Sequence, residues 1–188
     1  MATASGGQPS ASATTVGEGP SASPTAAATL QPSPASSAGP ATNLPVPVKP
    51  ALAGENTAEG LEAFTKYWFE LFSYGYETND WAPFEAVTDP GCRTCAKYVD
   101  IVQSVYEKSQ YIEGGEFQVG DFDTDFILNT QGSVQAFVSN GQSNITFYSA
   151  SGEAIRTDTA PAPVVDVIFA VFTDDAWVLL DYGKPEGT

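Results

Sequence analysis

The chain has 188 residues and a formal net charge of −16, from 23 acidic and seven basic side chains. This charge disfavours binding to nucleic acids and to anionic membrane surfaces, both of which attract clustered lysine and arginine. The sequence contains no histidine, which excludes Ser-His-Asp and Cys-His catalysis, imidazole metal ligands and the common pH switch near neutrality.

Residues 1–50 differ in composition from the rest of the chain. They contain nine of the 14 prolines, none of the 22 aromatic residues and two charged residues, Glu18 and Lys49. Such a segment has too few large apolar side chains to offset the entropy of ordering, so we expect a disordered tail. Residues 51–188 then form one acidic domain that carries the whole net charge.

The tail also suggests a location. Its Ala, Ser, Thr and Pro content is typical of stalks that hold exported domains away from a membrane or wall. No apolar run is long enough for a membrane helix, and Met1 is not followed by a signal-peptide pattern. We interpret the chain as an extracellular or cell-envelope protein whose signal or lipid-attachment segment was removed, with membrane contact only through that anchor. A flexible linker of a cytosolic protein is the alternative.

The first predicted helix spans residues 56–76. Asn56 followed by Glu59 resembles a capping box at its start. Apolar side chains then recur at helical spacing: Leu61, Phe64, Trp68, Leu71 and Phe72. The apolar surface is broad enough that we expect a sheet to enclose this helix.

Two more helices and a series of strands follow. A short helix is predicted at residues 81–87, and a third from Asp89-Pro90 to Gly114-Gly115. The apolar period then changes to two, which indicates strands. The predicted strands are residues 117–119, 126–128, 134–138, 145–147, 164–172 and 177–182. Helices followed by antiparallel strands predict an α+β fold.

The last two strands predict a hairpin whose two-residue loop is Asp174-Asp175. In that register three pairs face each other: Phe172 and Trp177, Ala170 and Leu179, and Ile168 and Asp181.

This register makes Asp166 and Asp181 candidate catalytic residues, because they would lie diagonally on one partly apolar face. One carboxyl would act as general acid or base, and Tyr106 or Tyr67 would supply a hydroxyl to a developing oxyanion. The alternative is two exposed aspartates at the mouth of the hairpin.

Cys92 and Cys95 lie in the first turn of the third predicted helix. With two cysteines in a chain that we interpret as exported, a disulfide between them is the default. The helix N-terminus would also stabilise a thiolate, so a redox dithiol is an alternative, as is half of a metal site shared between chains.

No metal site is predicted within the chain. Asp121, Asp123 and Asp125 resemble the opening of a calcium loop, but Phe126 and Gly132 stand where its glycine and glutamate are needed. We therefore expect these aspartates on a solvated strand face.

Several of these segments resemble the nuclear-transport-factor-like superfold: the helix around Tyr67-Trp68-Phe69, Asn79-Asp80-Trp81, Asp89-Pro90-Gly91-Cys92 and the strand at residues 177–182. The tail and the Cys-x-x-Cys variant resemble uncharacterised secreted or lipid-anchored actinobacterial proteins. The resemblance implies three N-terminal helices packed in a curved antiparallel sheet of four or five strands, with a pocket at the open end of the cone. Enzymes of this superfold commonly use a pocket Asp with His or Tyr, and similar proteins often dimerise through the outer sheet face.

We expect aromatic residues to line that pocket: Tyr67, Trp68, Phe72, Tyr106, Phe169 and Trp177. The leading functional hypothesis is a non-enzymatic domain that binds an envelope protein or a small apolar ligand, without a cofactor. A small lyase or isomerase with a pocket carboxylate and tyrosine is the first alternative. A thiol-disulfide protein using Cys92 and Cys95 is the second.

Overall fold

The computed structural model describes residues 2–3, 6–7 and 30–185 of the chain. These residues form an α+β domain of three α-helices followed by seven strands. The α+β class and the helices-first order are therefore confirmed. The disorder predicted for residue 1, residues 4–5 and residues 8–29 lies outside the described residues, as do residues 186–188 of the predicted domain.

Helix α1 spans Ala58–Thr78 and lies at the centre of the fold. Its N-cap is Thr57, whose Oγ1 accepts a hydrogen bond from the Gly60 amide at 3.0 Å, so the predicted cap at Asn56 is one residue early. Asn79 ends the helix in the left-handed conformation with a φ of 60°. The predicted apolar face is buried, including Leu61, Phe64, Trp68, Leu71 and Phe72.

Helix α2 spans Ala82–Glu85 and helix α3 spans Arg93–Tyr106, both shorter than predicted. Helix α3 starts late because Asp89 closes a turn, accepting a hydrogen bond at 2.6 Å from the Gly91 amide. It ends early because Ser109 adopts a φ of 56° and the chain enters strand β1, Tyr111–Gly114. Ile112, which helical spacing had assigned to the third helix, reaches the core from this strand.

The remaining strands are β2 Phe117–Asp123, β3 Val134–Gln142, β4 Ile145–Tyr148, β5 Ala154–Asp158, β6 Val164–Thr173 and β7 Ala176–Gly183. The described strands form two antiparallel sheets, in the orders β1-β4-β5 and β2-β3-β6-β7, rather than the single sheet of four or five strands that was predicted.

Three local patterns account for the difference. Strand β1 was taken as helix. Strand β5 is exposed along its whole length, so it shows no buried alternating face in the sequence. The predicted strand at residues 126–128 is a loop, in which Phe126 has a φ of 54° and Leu128 forms one isolated bridge with Val134.

The hairpin of β6 and β7 has the predicted two-residue loop, with Asp174 and Asp175 both in the left-handed region. The predicted pairs of Phe172 with Trp177 and of Ala170 with Leu179 are confirmed. A bulge then shifts the register, so that Ile168 pairs with Tyr182 instead of Asp181. Because successive residues of a strand point to opposite faces, this shift exchanges the faces of Asp181 and Tyr182 relative to the prediction.

Aromatic side chains fill the space between α1 and the two sheets, both of which α1 contacts. The Trp68 ring is fully buried, with centroids 5.0–5.3 Å from those of four other rings: Phe69, Phe72, Phe84 and Tyr182. Its indole N–H donates to Thr88 Oγ1 at 2.8 Å. The interior beside α1 is therefore packed core.

Residues 33–42 form a small turn, here called the N-terminal hairpin, that lies against the domain. Ser33 and Thr42 exchange two backbone hydrogen bonds. The Ala35 amide donates to Glu77 Oε1 at 2.8 Å, and the Tyr111 hydroxyl donates to the Ser36 carbonyl at 2.7 Å. Contacts with the domain therefore begin before the boundary predicted at residue 50, because a turn poor in apolar groups can dock through its backbone polar atoms.

We predict that deleting residues 1–44 destabilises the domain, whereas deleting residues 1–29 leaves its melting temperature unchanged. The longer deletion removes the buried Ala35, its hydrogen bond to Glu77 and the hydrogen bond from Tyr111 to Ser36, which should cost about 1–3 kcal/mol and lower the melting temperature by several degrees. Scanning calorimetry of both truncated proteins and the full chain measures the difference. Equal melting temperatures for all three would show that the N-terminal hairpin contributes no stability.

Candidate ligand-binding cleft

A cleft of about 350 Å³ opens at one end of the inner face of the four-stranded sheet. Its walls come from the first turns of α3, from strands β2, β3, β6 and β7, and from the loop between β5 and β6. Small-molecule sites commonly have volumes of this order or larger. The lining includes Tyr98, Phe117, Asn140, Ala162, Asp166, Tyr182 and Lys184.

Asp166 is the buried acidic group of this cleft, with 5% of its surface exposed. It lies on the inner face of β6, opposite Val138 of β3. Its Oδ2 accepts hydrogen bonds from Asn140 Nδ2 and from the Tyr182 hydroxyl, both at 2.8 Å. Of the two positions that the sequence allowed for Asp166, the strand mouth and a pocket, it occupies the pocket.

Tyr182 reaches Asp166 because the bulge in the β6–β7 hairpin turns Tyr182 to the inner face. Burial, together with the adjacent Asp166 carboxylate, raises the pKa of the Tyr182 hydroxyl above its ordinary value. The hydroxyl is therefore protonated at neutral pH and acts as a hydrogen-bond donor. It is this tyrosine, and not Tyr106 or Tyr67, that accompanies the carboxylate.

Asp181 does not join Asp166, so the predicted pair of carboxylates is wrong. In the shifted register Asp181 pairs with Phe169 and is exposed. Its Oδ1 accepts a hydrogen bond from the Tyr182 amide at 2.9 Å and lies 3.8 Å from Cys92 Sγ.

The Tyr106 hydroxyl is committed to the end of α1. It donates to the carbonyls of Tyr76 at 3.0 Å and Glu77 at 2.7 Å. This tyrosine joins α3 to the last turn of α1, and it is not positioned to stabilise an oxyanion in the cleft.

The aromatic residues expected in the pocket lie elsewhere. Trp68, Phe72 and Trp177 belong to the buried core, and Tyr67 is half-buried beside it. Phe169 lines a groove on the outer face of the sheet, next to Phe137 and Asp181.

The aromatic residues of the cleft are Tyr98, Phe117 and Tyr182, which the sequence analysis did not assign to a pocket. Asn140 was missed because its Asn-Gly pair resembles a turn. One signal could have found it: Asn140 continues the inward alternation of Val134, Ala136 and Val138 and is buried like them.

Cys92 and Cys95 form the predicted disulfide, with Cα atoms 5.3 Å apart. Both residues are almost fully buried at the start of α3. A buried disulfide is poorly accessible to an attacking thiolate, so the structural role fits better than the redox role.

The described residues contain neither a metal-binding cluster nor a membrane-spanning helix. No group of three or more cysteine, aspartate or glutamate side chains there could hold a metal ion. The three aspartates at positions 121, 123 and 125 are exposed along β2 and the loop after it. None of the described helices is long and apolar enough to cross a membrane.

Several solved structures are similar to this chain. The intermembrane space region of chloroplast protein ARC6 matches at a TM-score of 0.45 and 12% identity, covering 68% of this chain and 95% of that one. Aln2 from a Streptomyces species matches at a TM-score of 0.42 and 10% identity, covering 66% of this chain and 88% of that one. Bd1075 of Bdellovibrio bacteriovorus matches at a TM-score of 0.34 and 12% identity, covering 69% of this chain and 41% of that one.

No curated protein matches the chain. Residues 32–182 match a family described as a family of unknown function, DUF6318. The match includes the N-terminal hairpin and every helix and strand through Tyr182. Because it covers most of the sequence, the chain belongs to the DUF6318 family.

Proposed function

We propose that this protein is an exported, non-enzymatic domain that binds a small molecule in the cleft at Asp166. The single observation that carries the proposal is the buried Asp166 carboxylate, held by Asn140 and Tyr182 in the wall of a cavity. A buried charge costs folding free energy, and such groups concentrate at functional sites.

The wider setting supports the same proposal. The disulfide suits an oxidising compartment, and the Ala/Ser/Thr/Pro composition before residue 32 suits a stalk. Helix α1 beside two antiparallel sheets is compatible with a nuclear-transport-factor-like cone, and a cleft at the end of the sheet is where such a cone would be open. Partner proteins, a lipid anchor and dimerisation stay predictions.

The test is native mass spectrometry of the protein recovered from its source. Ala162 lines the cleft from the β5–β6 loop and is exposed, so Ala162→Trp should obstruct the cleft without disturbing the core. Ala160→Trp, on the same loop but outside the cleft lining, is the matched control. We expect a small-molecule adduct on the wild type and on Ala160→Trp, and its loss from Ala162→Trp.

Two results would contradict the proposal. One is an adduct that Ala162→Trp retains in full, because the molecule would then bind elsewhere. The other is a wild-type protein that carries no adduct and acquires none from a soluble extract of the source cells.

A proton-transfer enzyme is the second candidate, because the 2.8 Å contact between Tyr182 and Asp166 provides the carboxylate–tyrosine pair of the lyase or isomerase hypothesis. Deuterium incorporation separates the two functions. A carboxylate that removes and returns a carbon-bound proton introduces deuterium from D2O into the ligand, and its mass increases during incubation. A binding domain does not exchange the carbon-bound hydrogens of the ligand, so the mass of the ligand does not rise through them.

A further inference from the structure

We propose that the ligand of the cleft is a small organic cation whose ammonium group pairs with Asp166. This inference rests on the proposed function and names the chemical class of its ligand. It follows from the charge, the walls and the field of the cleft.

The Asp166 carboxylate has no cationic partner among the described residues. Both of its hydrogen bonds reach Oδ2, and none of the described residues donates to Oδ1. No lysine or arginine of the described chain forms an ion pair with Asp166; the ion pairs there join Lys66 to Glu62 and Arg156 to Asp158. A carboxylate that is 5% exposed without a cation is costly, and a ligand ammonium group that donates to Oδ1 would supply both charge and hydrogen bond.

The cleft has an aromatic wall beside Asp166. Tyr98, Phe117 and Tyr182 surround the space next to the carboxylate, and aromatic faces attract organic cations. Two of these rings are held by the core. Phe117 stacks on Phe72 with centroids 4.9 Å apart, and the Tyr182 ring lies 5.3 Å from Trp68. The wall is therefore largely formed before a ligand arrives.

The electrostatic field of the whole domain also favours a cationic ligand. Residues 51–188 contain 22 acidic and six basic side chains, so cations are concentrated at the surface and anions are repelled. Lys184 is the one basic residue among the described residues that line the cleft, and it is exposed to solvent. A single solvated lysine does not reverse the sign of this field.

Calorimetric titration of the full-length protein with three ligands of one shape tests the charge. Benzylamine, benzyl alcohol and benzoate share a ring and differ in charge at neutral pH. We expect benzylammonium to bind, benzyl alcohol to bind at least about tenfold more weakly, and benzoate not to bind. Equal affinity for the amine and the alcohol, tighter binding of benzoate, or no binding of the amine at millimolar concentration would overturn the inference.

Two matched substitutions locate the charge. Asp166→Asn removes the buried charge and keeps the shape, and should weaken benzylammonium binding on the order of tenfold and benzyl alcohol binding by a smaller factor. Asp181→Asn makes the same change in net charge on the other face of β7 and should leave both affinities unchanged. Equal losses from the two variants would mean that only the general field attracts the amine, and would refute the pairing with Asp166.

A third variant covers the case in which Asp166→Asn does not fold. Lys184→Gln removes the only positive charge among the described residues of the cleft lining, so it should tighten benzylammonium binding; weaker amine binding would overturn the inference.

Ala162→Trp separates the two proposals. Amine binding that survives this obstruction contradicts the cleft itself. A neutral ligand that binds the wild type as tightly as the amine does, and is lost from Ala162→Trp, keeps the cleft and rejects the cation.

Discussion

Replacing Trp68 with alanine is expected to lower the free energy of unfolding by about 3–5 kcal/mol, the range for deleting a large buried aromatic side chain. Trp68 is fully buried on α1, and four aromatic rings from α1, α2 and β7 lie against it. The substitution also removes the indole N–H that donates a hydrogen bond to the Thr88 hydroxyl. Urea denaturation followed by far-ultraviolet circular dichroism measures the loss, with the disulfide kept oxidised.

Two variants make the Trp68 result interpretable. Trp68→Phe removes the hydrogen bond and only part of the volume, so it should cost less than Trp68→Ala and still fold if the alanine variant does not. Ile101→Ala deletes apolar atoms from a residue of α3 that is 49% exposed, and should change stability by well under 1 kcal/mol. A loss below about 1 kcal/mol for Trp68→Ala would mean that the aromatic interior is not the stabilising core.

The helix at the centre of the fold was the most predictable element. Its apolar side chains repeat over 21 residues, and a pattern of that length tolerates an error of one or two residues at each end. The third helix was less predictable. Ser109 reverses the chain in a left-handed conformation that serine rarely adopts, so nothing in the local sequence separated Ile112 from the helix before it.

The β6–β7 hairpin shows why the site was only partly predictable. The turn at Asp174-Asp175 and the two pairs next to it follow from local rules. The bulge does not, because β7 has an extra residue, Leu180, between the partners of Phe169 and Ala170, and no glycine or proline marks it. A shift of one residue in the register places Tyr182, instead of Asp181, next to Asp166.

The cleft itself could not be assembled from the sequence. Asp166 was identified as a charged residue on a partly apolar strand face, which is a local signal. Its partners come from β3 and β7, and the aromatic wall adds residues from α3 and β2, so each contact depends on tertiary packing. The core aromatics and the cleft aromatics have the same local sequence character, which explains why Trp68 and Phe72 were predicted in the place of Tyr98 and Phe117.

Alkaline pH is expected to unfold the domain through its buried tyrosines. Burial raises the pKa of Tyr76 from 10.0 to about 12, and burial is also the main cause of the raised pKa values of Tyr106 and Tyr182. Between pH 10 and pH 12 the unfolded chain has released the Tyr76 proton while the folded protein retains it. The unfolded state therefore binds fewer protons. The stability that the raised pKa of Tyr76 contributes is fully present below pH 10, and the free energy of unfolding falls as the pH rises toward 12.

Each such tyrosine contributes a slope of up to about 1.4 kcal/mol per pH unit, so Tyr76 alone removes about 3 kcal/mol by pH 12. Urea denaturation at half-unit steps from pH 8 to pH 12 measures the slope, in high salt to screen the general repulsion of the acidic chain. Tyr76→Phe should reduce the slope between pH 10 and pH 12. Any constant cost of the missing hydroxyl shifts the whole curve without changing its slope, so an unchanged slope in Tyr76→Phe would show that Tyr76 ionises no differently in the folded and unfolded states.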